Sequence, residues 1–187
     1  MDNDVSAGSA STTVVGRLAL GITLLAFGIG TTGVIDGVTA SDSVSLARYV
    51  GGVALFLIGL LAFRLGDGGS GTGYVALGAL WFTWAVSAGD QVSDNAAGLF
   101  LLLFALVALT LTLGAAGDAL GQGTYGLFFV SLVLLAISVL AGSDALGKVG
   151  GWFAVAAGAV AWYAATATLA HWPTTVSRRT WGRRVTA

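Results

Sequence analysis

The polar side chains inside the apolar runs of this sequence are mostly hydroxyls. They are Thr23, Thr31, Thr32, Thr83, Ser87, Thr110, Thr112, Ser131, Ser138, Thr166 and Thr168. A hydroxyl in a membrane helix usually bonds to a carbonyl of its own helix. A row of hydroxyls could also hydrogen-bond a small anion without trapping it by charge, and rapid passage needs such weak binding. We take Thr23, Thr83, Ser131, Tyr163 and Thr166 as a candidate substrate path.

The residue types that usually perform catalysis or bind metals are scarce. The sequence has no cysteine, no glutamate and a single histidine, His171, and its nine acidic residues are aspartates outside the apolar runs. This composition excludes thiolate chemistry and the usual zinc and di-iron sites. We therefore expect no enzyme activity, no metal and no cofactor. His171, beside Trp172, is interpreted as a polar anchor at a membrane interface, and a pH-sensitive gate is the alternative.

Composition excludes an ordinary water-soluble enzyme. Of the 187 residues, 56% are hydrophobic and only 9% are charged, whereas soluble domains carry roughly 25% charged residues. The net charge of −1 gives no reason to expect nucleic acid binding. No charged residue lies in the middle of an apolar run, which argues against a retinal protein and against a pump with a carboxylate relay.

The apolar segments define the predicted architecture. They are Val14–Ile35, Leu46–Leu65, Thr72–Ala88, Ala96–Leu113, Thr124–Ala141 and Lys148–His171. A bilayer core needs roughly 20 helical residues, and lipid offers no partner for an unpaired backbone amide. The sequence therefore predicts an all-α integral membrane protein with six transmembrane helices in one bundle over residues 13–172. A disordered tail is predicted at 1–12 and a basic cytoplasmic tail at 173–187, with Gly-rich or polar links such as Gly66–Gly71, Gly114–Gly123 and Gly142–Gly147.

The basic residues predict the orientation of the chain in the cell membrane. Six spans put both termini on one side, and cytoplasmic segments carry an excess of Lys and Arg. With cytoplasmic termini the inner segments hold six of the eight basic residues, namely Arg17, Arg64, Arg178, Arg179, Arg183 and Arg184. The outer segments then hold only Arg48 and Lys148. We therefore predict a multi-pass protein with both termini in the cytoplasm.

Small residues recur every four positions in the last apolar run. Gly150, Ala154 and Gly158 share one face of a helix, a spacing typical of close helix packing in membranes. Trp162 and Tyr163 lie further along the same run. Because their N–H and O–H groups need partners, we expect both to point into protein or into a wet cavity.

Three stretches carry a family resemblance that extends from about Gly16 to His171. They are Gly51-Gly52 with Gly59-Leu60-Leu61 and Leu80-Trp81-Phe82-Thr83, then Phe128-Phe129-Val130-Ser131-Leu132, and last Gly150-Gly151-Trp152 through Gly158 to Trp162-Tyr163-Ala164-Ala165. In these stretches and in the spacing between them the chain resembles the acetate transporter family, the succinate–acetate permeases. The resemblance implies a six-helix protomer assembled as a homo-hexamer, each protomer with its own pore. The residues matching the pore constriction are Leu20, Leu77 and Leu132.

The chain is a divergent member by this comparison. The family's first span opens with Asn-Pro-Ala-Pro-Leu-Gly-Leu, and the matching residues here are Ser11-Thr12-Thr13-Val14-Val15-Gly16-Arg17, which keep only the glycine. A family glutamate near the end of the last span is matched by Thr168. These differences concern substrate recognition and proton coupling more than the fold.

The function implied by the resemblance is a membrane channel or transporter for acetate or a similar small monocarboxylate. The expected partners are the small carboxylate, the lipid bilayer and further copies of the chain. Burying an unpaired carboxylate is very costly, so the solute would cross as the neutral acid or as a partly hydrated anion. Two alternatives remain open: a non-transporting assembly protein with the same fold, and a pore for a small neutral solute.

The predicted orientation has a direct test in intact cells. A cysteine introduced in the segment 178–187 is expected to resist a membrane-impermeant thiol reagent, because that segment lies in the cytoplasm. A cysteine at Asp144, in a predicted outer loop, is expected to react. Labelling of the tail cysteine from outside would overturn the orientation.

Overall fold

The computed structural model describes residues 2–88 and 92–172, with the side chains of 2–7 and 9 left aside. The regular elements in that part of the chain are helices. They are α1 (Asp2–Thr32), a second rod, α4 (Gly68–Ser87), α5 (Asp94–Gly114), α6 (Ala119–Ala141) and α7 (Asp144–Leu169). The second rod runs through a 3-10 turn (Ala40–Ser43), α2 (Val44–Leu46), a π-helical stretch (Ala47–Ala54) and α3 (Leu55–Arg64). The predicted basic tail at 173–187 lies outside the described residues.

Five helical segments within the described residues are long and apolar enough to cross a membrane. They are Ala10–Thr32, Ala40–Arg64, Asp94–Gly114, Ala119–Ala141 and Asp144–Leu169. α4 is not among them, because it begins with the weakly apolar sequence Gly-Gly-Ser-Gly-Thr-Gly. The all-helical fold class is confirmed, and the count of six membrane spans stays a prediction.

Several helices begin earlier than the apolar pattern indicates. α4 begins at Gly68, where Asp67 Oδ1 accepts a 3.0 Å hydrogen bond from the Ser70 amide. α6 begins at Ala119, where Asp118 Oδ1 accepts one of 3.0 Å from the Gly121 amide. Side-chain oxygens satisfy the free amides of a first helical turn, so polar turns extend the apolar core of each helix. The links predicted at Gly66–Gly71 and Gly114–Gly123 were therefore too long, and the link at 142–147 shortens likewise because α7 begins at Asp144.

The first helix also differs from prediction at both ends. It begins at Asp2, where a disordered tail was predicted over residues 1–12. It ends at Thr32, three residues before the predicted end at Ile35, because Gly33 takes a left-handed conformation with φ of 64°. Glycine adopts positive φ without steric cost and commonly ends helices.

The second rod contains a π-helical stretch from Ala47 to Ala54. Such stretches are rare and occur often at functional sites. Gly51 and Gly52 lie in it, and both are buried. A Cβ on Gly51 would lie 3.0 Å from Trp81 Cγ and 2.6 Å from Thr23 Cγ2. The stretch therefore brings backbone directly against α1 and α4.

Glycines let α1 and α7 approach to backbone contact, and these two share the most extensive contact among the described helices. A Cβ on Gly158 would lie 2.8 Å from the Leu25 nitrogen and 2.9 Å from the Gly21 oxygen. A Cβ on Gly28 would lie 2.8 Å from the Gly151 oxygen. Each helix thus contributes two glycines seven residues apart, which share a face. We call these four residues the α1–α7 glycine interface.

A matching arrangement joins α4 to the second rod. A Cβ on Gly78 would lie 2.8 Å from the Phe56 nitrogen, and one on Gly59 would lie 2.7 Å from the Val75 nitrogen. Close approach of this kind substitutes van der Waals contact for the hydrophobic driving force that lipid does not supply. α4 is thereby held against the second rod, with Tyr74, Leu77 and Trp81 buried.

The predicted packing face of the last run contacts two helices. Gly158 lies against α1, whereas a Cβ on Gly150 would lie 3.0 Å from Leu135 Cγ on α6. Ala154, between them, is buried. α7 therefore lies between α1 and α6 and packs against both through small residues.

The expectation that Trp162 and Tyr163 point into protein or a wet cavity differs from the structure of the single chain. Their side chains are 49% and 41% exposed. Tyr163 packs instead against Trp172, with ring centroids 6.2 Å apart. The small residues of α7 occupy the buried side of that helix and leave the large aromatics on its outer surface.

The α1–α7 glycine interface predicts the effect of one added methyl group. Gly158→Ala is expected to destabilise the chain by about 1–3 kcal/mol, because overpacking forces backbone apart. Gly123→Ala is the matched control, since its Cβ would meet only Val160 Cγ1 at 3.8 Å. Thermal unfolding in detergent measures both variants. Equal unfolding temperatures for the two would contradict the interface.

Candidate functional site

Two of the cavities in the described part of the bundle could hold a small solute. The first, of about 410 Å³, is named the polar cavity, and its lining includes Thr13, Arg17, Leu20, Asp67, Ser70, Tyr74, Thr110, Asp118, Thr124 and Tyr125. The second, of about 490 Å³, is named the apolar cavity, and its lining includes Phe27, Thr31, Ala40, Trp84, Ser87, Val92, Phe100, Leu101, Leu135 and Val139. Both volumes suffice for a solute of a few heavy atoms.

The two cavities lie toward opposite ends of the bundle. Along α1 the polar cavity is lined up to Leu20 and the apolar cavity begins at Phe27. α4 and α6 show the same order. α5 runs the other way, with Phe100 on the apolar cavity and Thr110 on the polar one. Four helices thus contribute to both cavities, and along α1, α4 and α6 the two linings are separated by buried residues.

The buried residues from the inner end of the polar cavity to the start of the apolar cavity form what we call the central layer. It consists of Leu20, Thr23 and Leu24 on α1, Leu77 and Trp81 on α4, and Phe128 and Leu132 on α6. Each is at most 2% exposed. The three predicted constriction residues Leu20, Leu77 and Leu132 all belong to it and lie on three different helices. The structure therefore brings these residues into one buried core cluster.

Aromatic rings fill the side of the central layer near the apolar cavity. Trp81 stacks on Phe128 with ring centroids 5.8 Å apart and an interplanar angle of 19°. Phe27 meets Trp81 edge-on at 5.3 Å, and Trp84 meets it edge-on at 6.1 Å. Edge-to-face and offset pairs of this kind are favourable beyond the area they bury. The position of the Trp81 ring is thus determined from three sides.

The polar cavity is lined by three charged side chains, those of Arg17, Asp67 and Asp118. Arg17 on α1 donates to Asp118 Oδ2 at the start of α6, in an ion pair whose side chains are 22% and 44% exposed. Asp67 accepts a 3.5 Å hydrogen bond from the Thr13 hydroxyl, and Tyr74 donates to the Thr13 carbonyl at 2.9 Å. One guanidinium and two carboxylates therefore face a cavity that also presents several hydroxyls.

The predicted substrate-path residues are only partly brought together. Thr23 and Ser131 are buried, and each hydroxyl donates a 2.8 Å hydrogen bond to a carbonyl, of Ala19 and Gly150 respectively. Thr166 is half-buried on α7, while Thr83 and Tyr163 are exposed on the outer surface. The structure leaves Thr83 and Tyr163 away from the central layer. An all-apolar helix gives no sequence signal for which hydroxyl faces inward.

Sequence reasoning did not identify the charged residues that line the polar cavity as site residues. Arg17 was used only as one of the basic residues that predict the orientation, yet it pairs with Asp118, which is 101 residues away. A local pattern cannot reveal such a pair. The signal that was available is the aspartate itself, because Asp118 lies in the link before the fifth apolar run and aspartate is favoured as an N-cap. His171 is exposed just beyond α7.

Two buried polar atoms lack a hydrogen-bond partner within the described part of the chain: Trp81 Nε1 and Arg48 Nε. Arg48 still donates from its terminal nitrogen to the Ala85 carbonyl at 3.1 Å. The Trp81 indole has only one N–H, so its side chain donates no hydrogen bond within the described residues. Within residues 2–88 and 92–172, no group of three or more His, Cys, Asp or Glu side chains is placed to hold a metal ion.

Comparisons with known proteins agree with the fold. The chain is similar to a solved structure described as the bacterial acetate channel SatP, with 23% identity and a TM-score of 0.79. The match covers 86% of this chain and 92% of that one. No curated protein matches the sequence. The model of the GPR1/FUN34/yaaH family matches residues 5–178, which confirms the resemblance drawn from the glycine and aromatic motifs. The chain belongs to the GPR1/FUN34/yaaH family.

Proposed function

We propose that the chain is a multi-pass membrane protein that passes acetate or a similar small monocarboxylate. The observation that carries this proposal is the pair of cavities at opposite ends of the bundle, separated by the thin central layer. A path that is open toward both ends and closed in the middle is what a gated channel or carrier needs. The family membership and the fold shared with a bacterial acetate channel support the same function.

The proposed protomer has six spans with both termini in the cytoplasm. α4 serves as the third span, because its 20 residues rise about 30 Å at 1.5 Å per residue. It is less apolar than the others, but much of its surface is buried against neighbouring helices. In this orientation the polar cavity faces the cytoplasm, since it is lined by the first part of α1 and by the starts of α4 and α6. The apolar cavity then faces outward.

Leu20, Leu77 and Leu132 are proposed as the constriction. They are buried to 2% or less and come from three helices, so movement of any one helix would change the width of the layer. A ring of leucines closes a path to water and ions without blocking it permanently, because a narrow apolar segment loses its water. The structure corresponds to the closed state in this interpretation.

The uncharged central layer determines which form of the solute is favoured. Its side chains are four leucines, one threonine and two aromatics, so an entering carboxylate would lose water without gaining a cation. Such desolvation is costly for an ion and much less so for a neutral acid. We propose that the solute crosses this layer as the neutral acid or as an anion that keeps part of its water. Thr23 and Ser131, the buried hydroxyls nearby, are the retained path candidates.

Assembly as a homo-hexamer is proposed from the family resemblance. The outer surface of the single chain is strongly apolar, with exposed leucines along α5 such as Leu99, Leu103 and Leu106. Trp162 and Tyr163 add polar tips to the exposed face of α7. An apolar surface of this kind can be covered partly by lipid and partly by neighbouring protomers.

Two other functions compete with this proposal. A sealed central layer and the lost Asn-Pro motif favour a non-transporting assembly protein. The absence of charge among the described residues of that layer is compatible with a pore for a small neutral solute. Uptake of labelled acetate into vesicles separates acetate passage from assembly alone, and solute-selective swelling separates it from a neutral pore.

Shortening the central leucine of α4 tests the constriction. Leu77→Ala is expected to raise acetate flux several-fold in reconstituted vesicles and to admit slightly larger monocarboxylates, because it removes side-chain volume from the layer. The same change should reduce stability by about 2–5 kcal/mol, the usual cost of a buried Leu→Ala substitution. Flux of labelled acetate and propionate is measured after correction for empty vesicles.

Leu106→Ala is the matched control, because Leu106 is 59% exposed on α5. Its flux and size selectivity should equal those of the wild type. Thr83→Ala, also on an exposed position, is expected to behave in the same way. Unchanged rate and selectivity in a correctly inserted Leu77→Ala protein would contradict the constriction, as would an equal effect at Leu106.

A further inference from the structure

The indole nitrogen of Trp81 is a buried donor without a partner at the centre of the molecule. The side chain is 1% exposed, and Nε1 meets no acceptor within the described residues. Buried polar groups are nearly always hydrogen-bonded, so an orphan of this kind calls for a specific explanation. A bound ligand or water is the usual explanation.

Trp81 lies at the level between the two cavities. Along α4, Tyr74 lines the polar cavity and Trp84 lines the apolar cavity, and Trp81 lies between them. It shares the central layer with Leu77, which is 0% exposed. A solute that moves from one cavity to the other therefore has to pass the level of this indole.

The surrounding structure holds the ring in place. Phe128 stacks on one face at 5.8 Å, and Phe27 and Trp84 meet it edge-on. The backbone of Gly51 in the π-helical stretch lies against Cγ, at a separation that leaves no room for a Cβ. Rotation of the indole toward another acceptor would disturb all four contacts. The donor is therefore preorganised and loses little conformational entropy when it binds a ligand.

The chemistry of this group defines what it can bind. An indole N–H only donates a hydrogen bond and carries no charge. It complements an acceptor oxygen, and both a carboxylate and the carbonyl oxygen of a neutral carboxylic acid supply one. A single neutral donor binds such a group weakly, so a solute can be recognised in the middle of the path and still be released.

We propose that the Trp81 indole N–H is the hydrogen-bond donor that recognises the carboxyl group of the solute within the central layer. The proposal rests on the proposed function and adds the specificity-determining group. The aromatic rings around Trp81 hold it in place, and the leucines determine the size of the opening.

Trp81→Phe tests the donor with the aromatic contact retained. The half-saturating acetate concentration for flux into vesicles should rise about five- to tenfold, as expected for loss of one hydrogen bond to a ligand. A wider path alone would alter the maximal rate and not the half-saturating concentration. Trp162→Phe is the matched control, because Trp162 is 49% exposed on the outer face of α7, and it should leave both values unchanged.

A second measurement uses the wild-type protein and does not depend on the variant folding. The indole ¹H–¹⁵N resonance of Trp81, assigned by its loss in Trp81→Phe or by selective labelling, should move downfield as sodium acetate replaces sodium chloride at constant ionic strength and pH. A resonance indifferent to acetate, or an equal shift with chloride, would overturn the assignment. An unchanged half-saturating concentration in a folded Trp81→Phe protein would do the same. Absence of any acetate flux through the wild-type protein would overturn the proposed function instead.

Discussion

The close backbone contact between α1 and α7 is the constraint on which the rest of the bundle depends. Gly21 and Gly28 on α1 face Gly151 and Gly158 on α7, and a Cβ on any of the four would meet a backbone atom at 3.1 Å or less. Lipid is as apolar as a leucine side chain, so burial of apolar surface does not drive helices together in a bilayer, and contact has to come from shape. With α1 held in this way, the positions of its buried residues Leu20, Thr23 and Leu24 are set as well. The central layer is thus assembled on a helix whose position is determined by residues without side chains.

The second glycine contact, between α4 and the second rod, positions the other half of that layer. Gly59 and Gly78 allow the two helices to touch, and the π-helical stretch inserts Gly51 against Trp81 and Thr23. An extra residue in a helical turn widens it and reorients the backbone locally. The unusual geometry is located at the level where α1 and α4 meet. We infer that the π-helical stretch is needed for the packing of the central layer. In a regular helix a residue other than Gly51 would lie against Trp81 and Thr23.

Much of the fold could be predicted from apolar runs, because a backbone in lipid has few alternatives to a helix. The ends of the helices could not be predicted in this way. Asp67 and Asp118 extend α4 and α6 by capping them, and the hydropathy of the sequence does not detect such polar turns. The site divides in the same way. Leu20, Leu77 and Leu132 were reached through a family resemblance, whereas Thr83 and Tyr163 were placed inward when they lie outside. A helix that is apolar on every side does not reveal which side is buried. The Arg17–Asp118 pair joins residues from the two halves of the chain, so it depends on the tertiary fold.

The distribution of polarity along the proposed path has a consequence for how a solute moves. The polar cavity offers an arginine, two aspartates and hydroxyls, so a carboxylic acid entering it keeps partners for its oxygens. The central layer offers few, and a donor left unsatisfied there costs about 1–3 kcal/mol in the empty state. That cost is relieved when a carboxyl oxygen reaches Trp81 Nε1, so part of the price of dehydrating the solute is offset by the group it meets. The free-energy difference between the layer with a solute and the layer without one is therefore smaller than it would be for a layer made only of hydrocarbon side chains. A lower difference of this kind speeds passage in both directions, because neither entry nor release has to cross a deep well or a high barrier.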